Sequence, residues 1–397
     1  MSSIKVIDIV GARPQFIKVA PILRAIHRHN QEHPDQPVQE ILVHTGQHYD
    51  YEMSQAFFDE LGLKAPDYHL GVGSGTHAYQ TGEMLKRIEE VLIKEKPNLV
   101  MVYGDTNTTL AGALSASKLH IPVAHVEAGL RSFNRQMPEE INRVVTDHLS
   151  TFLFCPTETA VLNLCREGFT NILNDGKLVP LGYIPWTSDD KSCTARHFPV
   201  VLNVGDVMYD AVLRYFKLAE QKSQILAKLE LEEKGFALCT IHRAENTDYP
   251  ERLTAIFQGL KKLAEEGHIV VVPLHPRTHK ALTRLMLDPL PKNLLIIEPV
   301  SYLDMLMLER EARVILTDSG GVQKEAFFFR VPCVTLREET EWMETVDEKW
   351  NVLVGHTPEQ IVQAVLGAHS GIESTFSYGD GMAAERIIAC ISGANHG

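Results

Sequence analysis

The stretch Ile4-Lys5-Val6-Ile7-Asp8-Ile9-Val10-Gly11-Ala12-Arg13-Pro14-Gln15-Phe16-Ile17-Lys18 decides the fold class of this 397-residue chain. Its first seven residues are mostly apolar and predict a buried strand. Gly11 permits a tight turn, Pro14 suits the first turn of a helix, and an amphipathic pattern follows over residues 17–28. A strand that leads directly into a helix is the first half of a βαβ unit, so a parallel sheet is predicted.

The same alternation of short apolar runs and amphipathic segments continues along the chain. The predicted strands are 4–10, 41–44, 99–103, 123–126, 152–154, 238–241, 269–274, 294–297, 314–316 and 333–336. The predicted helices between them are 17–28, 77–94, 108–118, 138–149, 252–263, 276–286, 302–309 and 322–328, with a last helix over 382–392. An irregular stretch at 174–198, rich in Gly, Pro and Ser, separates the two series. The pattern predicts an α/β protein with two Rossmann-like domains whose parallel sheets face a central cleft.

Composition excludes several classes of function. The net charge is −13, and no Lys/Arg-rich run offers the basic face that a nucleic-acid-binding protein needs. No apolar run approaches the ~18 residues of a membrane span, and the N-terminus lacks the pattern of a signal peptide. The six cysteines are scattered without a Cys-x-x-Cys pair, so we expect reduced thiols, no metal site and a cytoplasmic location.

The first strand-to-helix turn carries two cations. Arg13 and Lys18 lie at the start of the predicted helix, where backbone N–H groups and the helix dipole attract anions. The alternative is a turn with two solvated cations. The turn does not have the Gly-x-Gly-x-x-Gly pattern of dinucleotide-binding proteins, so no nicotinamide cofactor is expected.

Three carboxylates are placed for acid–base chemistry in the first half. Asp105 and Glu127 each follow a predicted strand, and Glu139 opens the next helix. Carboxylates at strand ends are unfavourable in an apolar core, and proton transfer is a reason to keep them there. Glu139 and Arg143 are four residues apart on one helix face, which also fits an ordinary surface salt bridge.

The second half carries groups suited to a phosphate. His242 and Arg243 end one predicted strand, and His275 ends the next. The run Ser319-Gly320-Gly321 connects a strand to a helix, so free N–H groups face an anion there. Glu325, further along that helix, is placed to accept ribose hydroxyls. The alternative for this run is a plain helix cap.

With these segments in order, the chain resembles the non-hydrolysing UDP-N-acetylglucosamine 2-epimerases. The motifs that carry the resemblance are GARPxxxK, GDT, HVEAGLR, PEExNR, HRxEN, TDSGGxQxE and YGDG, which together span nearly the whole chain. The resemblance implies a GT-B-like architecture without a cofactor, in which residues 1–185 and the returning segment 378–397 form a catalytic domain and 186–377 form the UDP-binding domain. It also implies a homodimer that acts on a UDP-sugar for cell-surface polysaccharide biosynthesis.

By motif position, the resemblance assigns active-site roles to Arg13, Lys18, Asp105, Glu127, Glu139, Arg143 and His242. It places Ser319, Gly320, Gly321 and Glu325 at UDP, and Val300 and Met305 at uracil by spacing alone. The implied reaction inverts C2 by elimination of UDP across C1–C2 and re-addition. The roles of acid and base stay open among the three carboxylates.

The resemblance leaves the sugar open. Trp342 stands where the family usually has an arginine, and Thr340-Glu341-Trp342 with Gly-Ala-Arg-Pro-Gln is closer to the branch acting on UDP-2,3-diacetamido-2,3-dideoxyglucuronate. Arg131 and Arg135 are candidates to neutralise the carboxylate of that sugar. A run without Lys or Arg at 73–77 argues against activation by a second substrate molecule. The alternatives are a GT-B glycosyltransferase, a hydrolysing epimerase and a UDP-sugar sensor.

Overall fold

The computed structural model describes residues 3–47, 58, 60–183, 199–274, 278–279, 282, 290–372 and 377–393. The chain forms two compact units, Met1–Ala211 with Phe376–Gly397, and Val212–Thr375. Among the described residues, no helix has both the length and the apolar character needed to cross a membrane.

The first unit contains a seven-stranded parallel sheet. Its strands are β1 Ile4–Val10, β2 Val38–His44, β3 Tyr68–His69, β4 Leu99–Tyr103, β5 Val123–Val126, β6 Phe152–Cys155 and β7 Val200–Asn203. They lie in the order β3-β2-β1-β4-β5-β6-β7, and every neighbouring pair is parallel. The strand order reverses between β1 and β4, and open α/β sheets bind ligands beyond the carboxyl ends of the strands at such a point.

The main helices of the first unit follow the strands in the βαβ manner. They are α1 Arg13–Glu32, α2 His77–Glu95, α3 Asn107–Lys118, α4 Pro138–Leu149 and α5 Glu158–Arg166. Apolar side chains of α2 and α3, such as Met84 and Ala113, pack with Ile7 and Ile9 in one core cluster. The sheet is therefore covered on this face by helices that its own crossovers supply.

The second unit contains a six-stranded parallel sheet. Its strands are β8 Phe236–Thr240, β9 Ile269–Pro273, β10 Leu294–Ile297, β11 Val314–Thr317, β12 Cys333–Thr335 and β13 Asn351–Leu353, in the order β10-β9-β8-β11-β12-β13. Helix α6, Val207–Lys222, begins in the first unit and ends in the second. The remaining helices are α7 Ile225–Lys228, α8 Ala244–Thr247, α9 Pro250–Glu265, α10 Tyr302–Glu311, α11 Gly320–Phe328, α12 Met343–Asp347 and α13 Pro358–Leu366. Core clusters on both faces of this sheet give it the two-sided burial that parallel sheets require.

The first unit extends beyond the boundary predicted after residue 185. Strand Val200–Asn203 pairs with Phe152–Cys155, so its residues complete the first sheet instead of opening the second domain. These four residues directly follow the irregular stretch and are not among the predicted strands. The predicted helix 276–286 lies largely outside the described residues.

The last helix, α14 Ala383–Gly393, belongs to the first unit and packs against α1. Arg28 of α1 pairs with Glu385 of α14. Asp210 accepts hydrogen bonds from the first amides of α14, Ala383 N at 3.2 Å and Ala384 N at 2.8 Å. The chain therefore returns to the first unit through a capped helix.

One carboxyl group lies in the centre of the first sheet. Asp8 on β1 is fully buried and accepts a hydrogen bond from the Tyr103 hydroxyl. Burial, and then the nearby charge of Glu40, raises the pKa of Asp8 to about 8. The group therefore carries its proton at neutral pH.

Replacing Asp8 by Asn is expected to change how stability depends on pH. Because the folded-state pKa lies above the unfolded value of 3.8, the contribution of Asp8 is fully present below pH 3.8 and is lost as the pH rises through 8. Asn keeps the acceptor for Tyr103 and cannot ionise. Between pH 5 and pH 8 the unfolding free energy of Asp8→Asn should rise relative to wild type by on the order of 2–4 kcal/mol.

Urea denaturation at several pH values measures this difference. The exposed Asp35→Asn is the control and should show no such trend. Parallel pH dependence of Asp8→Asn and wild type would contradict the prediction.

Candidate active site

The carboxyl edge of the first sheet brings Asp105 and Arg143 together. Asp105 follows β4 directly after Gly104, whose φ of +62° suits a residue without a side chain. The Asp105 side chain is 27% exposed, and its Oδ2 lies 2.6 Å from Nη2 of the buried Arg143. Asn142 Nδ2 also donates to the Asp105 backbone carbonyl at 2.9 Å. Helix α4 thus fixes both the backbone and the carboxylate of Asp105.

Glu127 follows the adjacent strand β5 in a strained conformation. Its φ is +79°, a region that is unfavourable for a residue with a side chain. The backbone N–H groups of Glu127 and Ala128 both donate to the Phe154 carbonyl, at 3.0 and 3.1 Å, and so hold the turn. The buried carboxylate pairs with Nζ of Lys18 on α1. Strain held by neighbouring structure is common where a side chain must be aimed for function.

Helix α4 begins with two glutamates that have different surroundings. Glu139 is half-buried and makes no hydrogen bond or ion pair with the described residues. Glu140 is buried: its oxygens accept from Ser132 N at 2.9 Å and Phe133 N at 3.0 Å, and Arg143 Nη1 lies 3.2 Å away. The alternative of an ordinary Glu139–Arg143 salt bridge does not occur, because Arg143 pairs with Glu140 and Asp105.

Gln15 connects the turn after β1 with the carboxyl end of β4. The sequence did not predict this role. Its Oε1 accepts from Gly11 N at 2.8 Å and Ala12 N at 3.0 Å. Its Nε2 donates to the Tyr103 carbonyl at 2.8 Å and to Thr109 Oγ1 at 3.0 Å. Gln15 lies three residues after Ala12, the residue that precedes the helix, which is the position of the glutamine in a capping box. Arg13 is exposed at the start of the same helix.

Arg131 and Arg135 differ sharply in exposure. Arg131 is buried, and its guanidinium pairs with two carboxylates. Nη1 lies 2.7 Å from Asp147, and Nε and Nη2 each lie 2.7 Å from the Glu167 carboxylate. The hypothesis that Arg131 neutralises a sugar carboxylate is therefore not supported by its geometry. Arg135 is exposed on the loop before α4.

In the second unit, Asp318 organises the residues after β8. It is fully buried and accepts from His242 N at 3.2 Å, Arg243 N at 3.1 Å and Asn246 Nδ2 at 3.1 Å. Although burial acts to raise it, the charge and hydrogen bond of His242 keep the pKa of Asp318 below its ordinary value. His242 Nδ1 lies 3.2 Å from Asp318 Oδ1, while 52% of the imidazole side chain is exposed. Asp318 therefore orients an accessible histidine.

The Ser-Gly-Gly run forms the predicted helix start. Ser319 caps α11 by accepting from Val322 N at 3.5 Å, and Gly320 and Gly321 begin the helix. Further along, the buried Glu325 accepts a hydrogen bond of 3.0 Å from the Tyr302 hydroxyl. Burial, and then the charge of Glu325, raises the pKa of Tyr302 well above its usual value, so this hydroxyl stays a donor. Helix α11 thus carries both the Ser319 cap and the oriented carboxylate of Glu325.

Trp342 is a packed residue beside this helix. It is 3% exposed, and Nζ of Lys324 lies 4.0 Å from the centre of its ring. A Cβ added to Gly320 would lie 2.5 Å from Glu341 Oε1 and 3.0 Å from Trp342 Nε1, so a larger residue there would require the Glu341 carboxylate to shift. Two guanidinium groups approach Glu341: Arg337 Nη1 at 3.1 Å from Oε2 and Arg243 Nη2 at 3.9 Å from Oε1. Two arginines therefore lie near Glu341, next to Trp342, the position at which the family usually has an arginine.

The remaining predicted site residues are Val300, Met305 and His275. Val300 and Met305 are partly buried and pack against an apolar cluster of the second unit. His275 lies outside the described residues.

Comparison with known proteins agrees with these features. The family model described as UDP-N-acetylglucosamine 2-epimerase matches residues 30–392. A UDP-N-acetylglucosamine 2-epimerase homolog of Methanococcus maripaludis is 50% identical, with 97% of this chain and 98% of the relative covered. The UDP-2,3-diacetamido-2,3-dideoxy-D-glucuronate 2-epimerase of Pseudomonas aeruginosa is 46% identical, with 96% and 98% covered. The crystal structure of the Methanocaldococcus jannaschii UDP-GlcNAc 2-epimerase in complex with UDP-GlcNAc and UDP matches with a TM-score of 0.79 at 43% identity, covering 98% of both chains.

Proposed function

The chain belongs to the UDP-N-acetylglucosamine 2-epimerase family, whose members are isomerases, and from that premise we propose that it inverts C2 of a UDP-N-acetylhexosamine without hydrolysing it. The observation that carries the proposal is the set of three carboxylates of the first unit, two at adjacent strand ends and one at the start of the next helix. The runner-up is a GT-B glycosyltransferase, which would need an acceptor. Turnover of the UDP-sugar without any acceptor separates the two.

The chemistry has to remove a hydrogen from C2 that no neighbouring carbonyl activates. In the proposed route a base takes the C2 proton, the C1–O bond breaks, and UDP leaves with the electron pair, which produces a 2-acetamidoglucal. UDP then adds back at C1 while a proton is delivered to the opposite face of C2. Both half-reactions balance without an oxidant.

Asp105, Glu127 and Glu139 are the groups that we assign to these proton transfers. Asp105 and Glu127 each face a buried cation, Arg143 and Lys18, that balances the negative charge. Glu139 is half-buried, so part of its side chain is exposed. General acid–base residues of this kind contribute typically about 10²–10⁴-fold to a rate.

The second unit carries the groups that we assign to UDP. The amides at the start of α11, with Ser319, Gly320 and Gly321, suit the diphosphate. His242 is exposed and oriented by Asp318, and Arg243 lies beside it; both stabilise charge on the departing diphosphate. Glu325, which Tyr302 orients by a hydrogen bond to Oε1, is assigned to the ribose hydroxyls.

Solvent isotopes test the elimination directly. In deuterated water the product should carry deuterium at C2, because the removed proton exchanges before re-addition. An oxygen label that bridges C1 and the β-phosphorus should scramble into the non-bridging positions. Mass spectrometry and phosphorus NMR measure both, and product without deuterium at C2 or a requirement for added nicotinamide would contradict the route.

The sugar is either UDP-N-acetylglucosamine or UDP-2,3-diacetamido-2,3-dideoxyglucuronate. Trp342 is packed with Lys324, which favours a structural role for the indole over contact with a sugar. Since Arg131 is committed to Asp147 and Glu167, Arg135 is the remaining candidate for the C6 carboxylate of the uronate.

Measurement of kcat/KM for both sugars in wild type and Arg135→Ala distinguishes them. If the uronate is the substrate, Arg135→Ala should lower kcat/KM for it by roughly 10–100-fold, the loss of one charge-assisted hydrogen bond. The same change should leave UDP-N-acetylglucosamine unaffected. Turnover of UDP-N-acetylglucosamine alone would exclude the uronate.

We further infer a cytoplasmic homodimer that serves cell-surface polysaccharide biosynthesis. The described cysteines, Cys155, Cys165, Cys239, Cys333 and Cys390, are all free, as in proteins of a reducing compartment. Light scattering coupled to size-exclusion chromatography tests the dimer, and a monomer would reject it.

A further inference from the structure

His125 is a fully buried residue that the proposed proton transfers do not use. It lies on β5 two residues before Glu127, and its Nε2 is 2.7 Å from the backbone carbonyl oxygen of Gly104. A carbonyl oxygen can only accept a hydrogen bond, so Nε2 carries a proton.

The other ring nitrogen faces a carboxylate. His125 Nδ1 lies 2.7 Å from Oδ1 of Asp147. The second oxygen of Asp147 lies 2.7 Å from Arg131 Nη1 and accepts from Gly129 N at 3.1 Å. Although burial acts to raise it, His125 and Arg131 hold the pKa of Asp147 below its ordinary value. An ionised carboxylate also only accepts, so Nδ1 carries a proton as well.

The surrounding charges balance such an imidazolium. Positive charges on His125 and Arg131 face negative charges on Asp147 and Glu167, which sum to zero. Buried charges persist only when they are paired in this way. Cys155, near Asp147, adds no charge, because burial and then the Asp147 carboxylate raise the pKa of its thiol.

This network connects all three proposed catalytic carboxylates. His125 holds the carbonyl of Gly104, the residue immediately before Asp105. Asp147 holds the amide of Gly129, in the turn that follows the strained Glu127. Asp147 itself lies on helix α4, which opens with Glu139 and contains the Asp105 partner Arg143.

We propose that His125 is a positioning residue, which donates from both ring nitrogens and with Asp147 fixes the backbone before Asp105 and after Glu127 relative to helix α4. The effect of His125 on catalysis rests on the proposed function. The hydrogen-bond pattern of the ring does not depend on that function and has its own test.

Nitrogen NMR of protein labelled with ¹⁵N-histidine tests the hydrogen-bond pattern of the ring. Both ring nitrogens of His125 should carry a proton in wild type at pH 7, because each faces an acceptor, with the signal assigned from its absence in His125→Gln. A wild-type ring with one unprotonated nitrogen would overturn the proposal, and correlation of the ring signals with the backbone of His125 serves for assignment if His125→Gln does not fold.

Kinetics tests the positioning. His125→Gln should lower kcat by at least ~30-fold while KM changes less than ~3-fold, because small displacements of catalytic groups act mainly on the chemical step. The exposed neighbour His148→Gln is the control and should behave as wild type. A folded His125→Gln enzyme with wild-type kcat would refute the positioning role. If wild type turns over neither sugar, the proposed function fails, whereas the NMR result still decides the hydrogen-bond pattern of the ring.

Discussion

Replacement of Asp105 by Asn, Glu127 by Gln or Glu139 by Gln is expected to lower kcat at least ~100-fold in each case. Each change keeps the shape of the side chain and removes its ability to take or deliver a proton. UDP affinity should change little, because the groups assigned to UDP lie in the second unit. Steady-state kinetics and calorimetric titration with UDP measure the two effects separately.

Glu158 provides a matched control for Glu139. It also lies in the first turn of a helix that follows a strand of the first sheet, but it is exposed. Glu158→Gln should retain wild-type kcat. Near-wild-type turnover in all three carboxylate variants would reject their assignment.

Replacement of Arg143 by Met is expected to lower both stability and activity. The guanidinium is 1% exposed and pairs with Asp105 at 2.6 Å and Glu140 at 3.2 Å. Its removal leaves the buried Glu140 carboxylate without its counter-charge, a loss of about 3 kcal/mol for comparable buried pairs. The Asp105 carboxylate also loses the partner that orients it, so kcat should fall together with the unfolding free energy.

Urea denaturation of Arg143→Met measures the stability change, and Arg135→Met controls for the loss of one positive charge. Because Arg135 is exposed, its replacement should change the unfolding free energy by less than ~0.5 kcal/mol. Equal stability of Arg143→Met and Arg135→Met would show that the buried pair contributes nothing.

The fold class was predictable from the sequence because its signals are local. The spacing of apolar residues over a short segment indicates a strand or a helix. Three strands have the predicted bounds in the structure: Ile4–Val10, Leu99–Tyr103 and Val123–Val126. The order of these elements implies a parallel sheet, and the two parallel sheets confirm it. Val200–Asn203 is not among the predicted strands: it follows the irregular stretch directly, and its pairing with Phe152–Cys155 exists only in the folded sheet.

The sequence by itself determined that Asp105 and Glu127 follow adjacent strands and that a Ser-Gly-Gly run opens a helix, because each statement needs only the local pattern. Only the tertiary structure decided the partners of the charged residues. Arg143 pairs with Asp105, which is 38 residues away in the sequence, and not with Glu139. Arg131 pairs with Asp147 and Glu167. A buried charge must find a counter-charge wherever the packed chain supplies one, and sequence spacing alone does not specify that place.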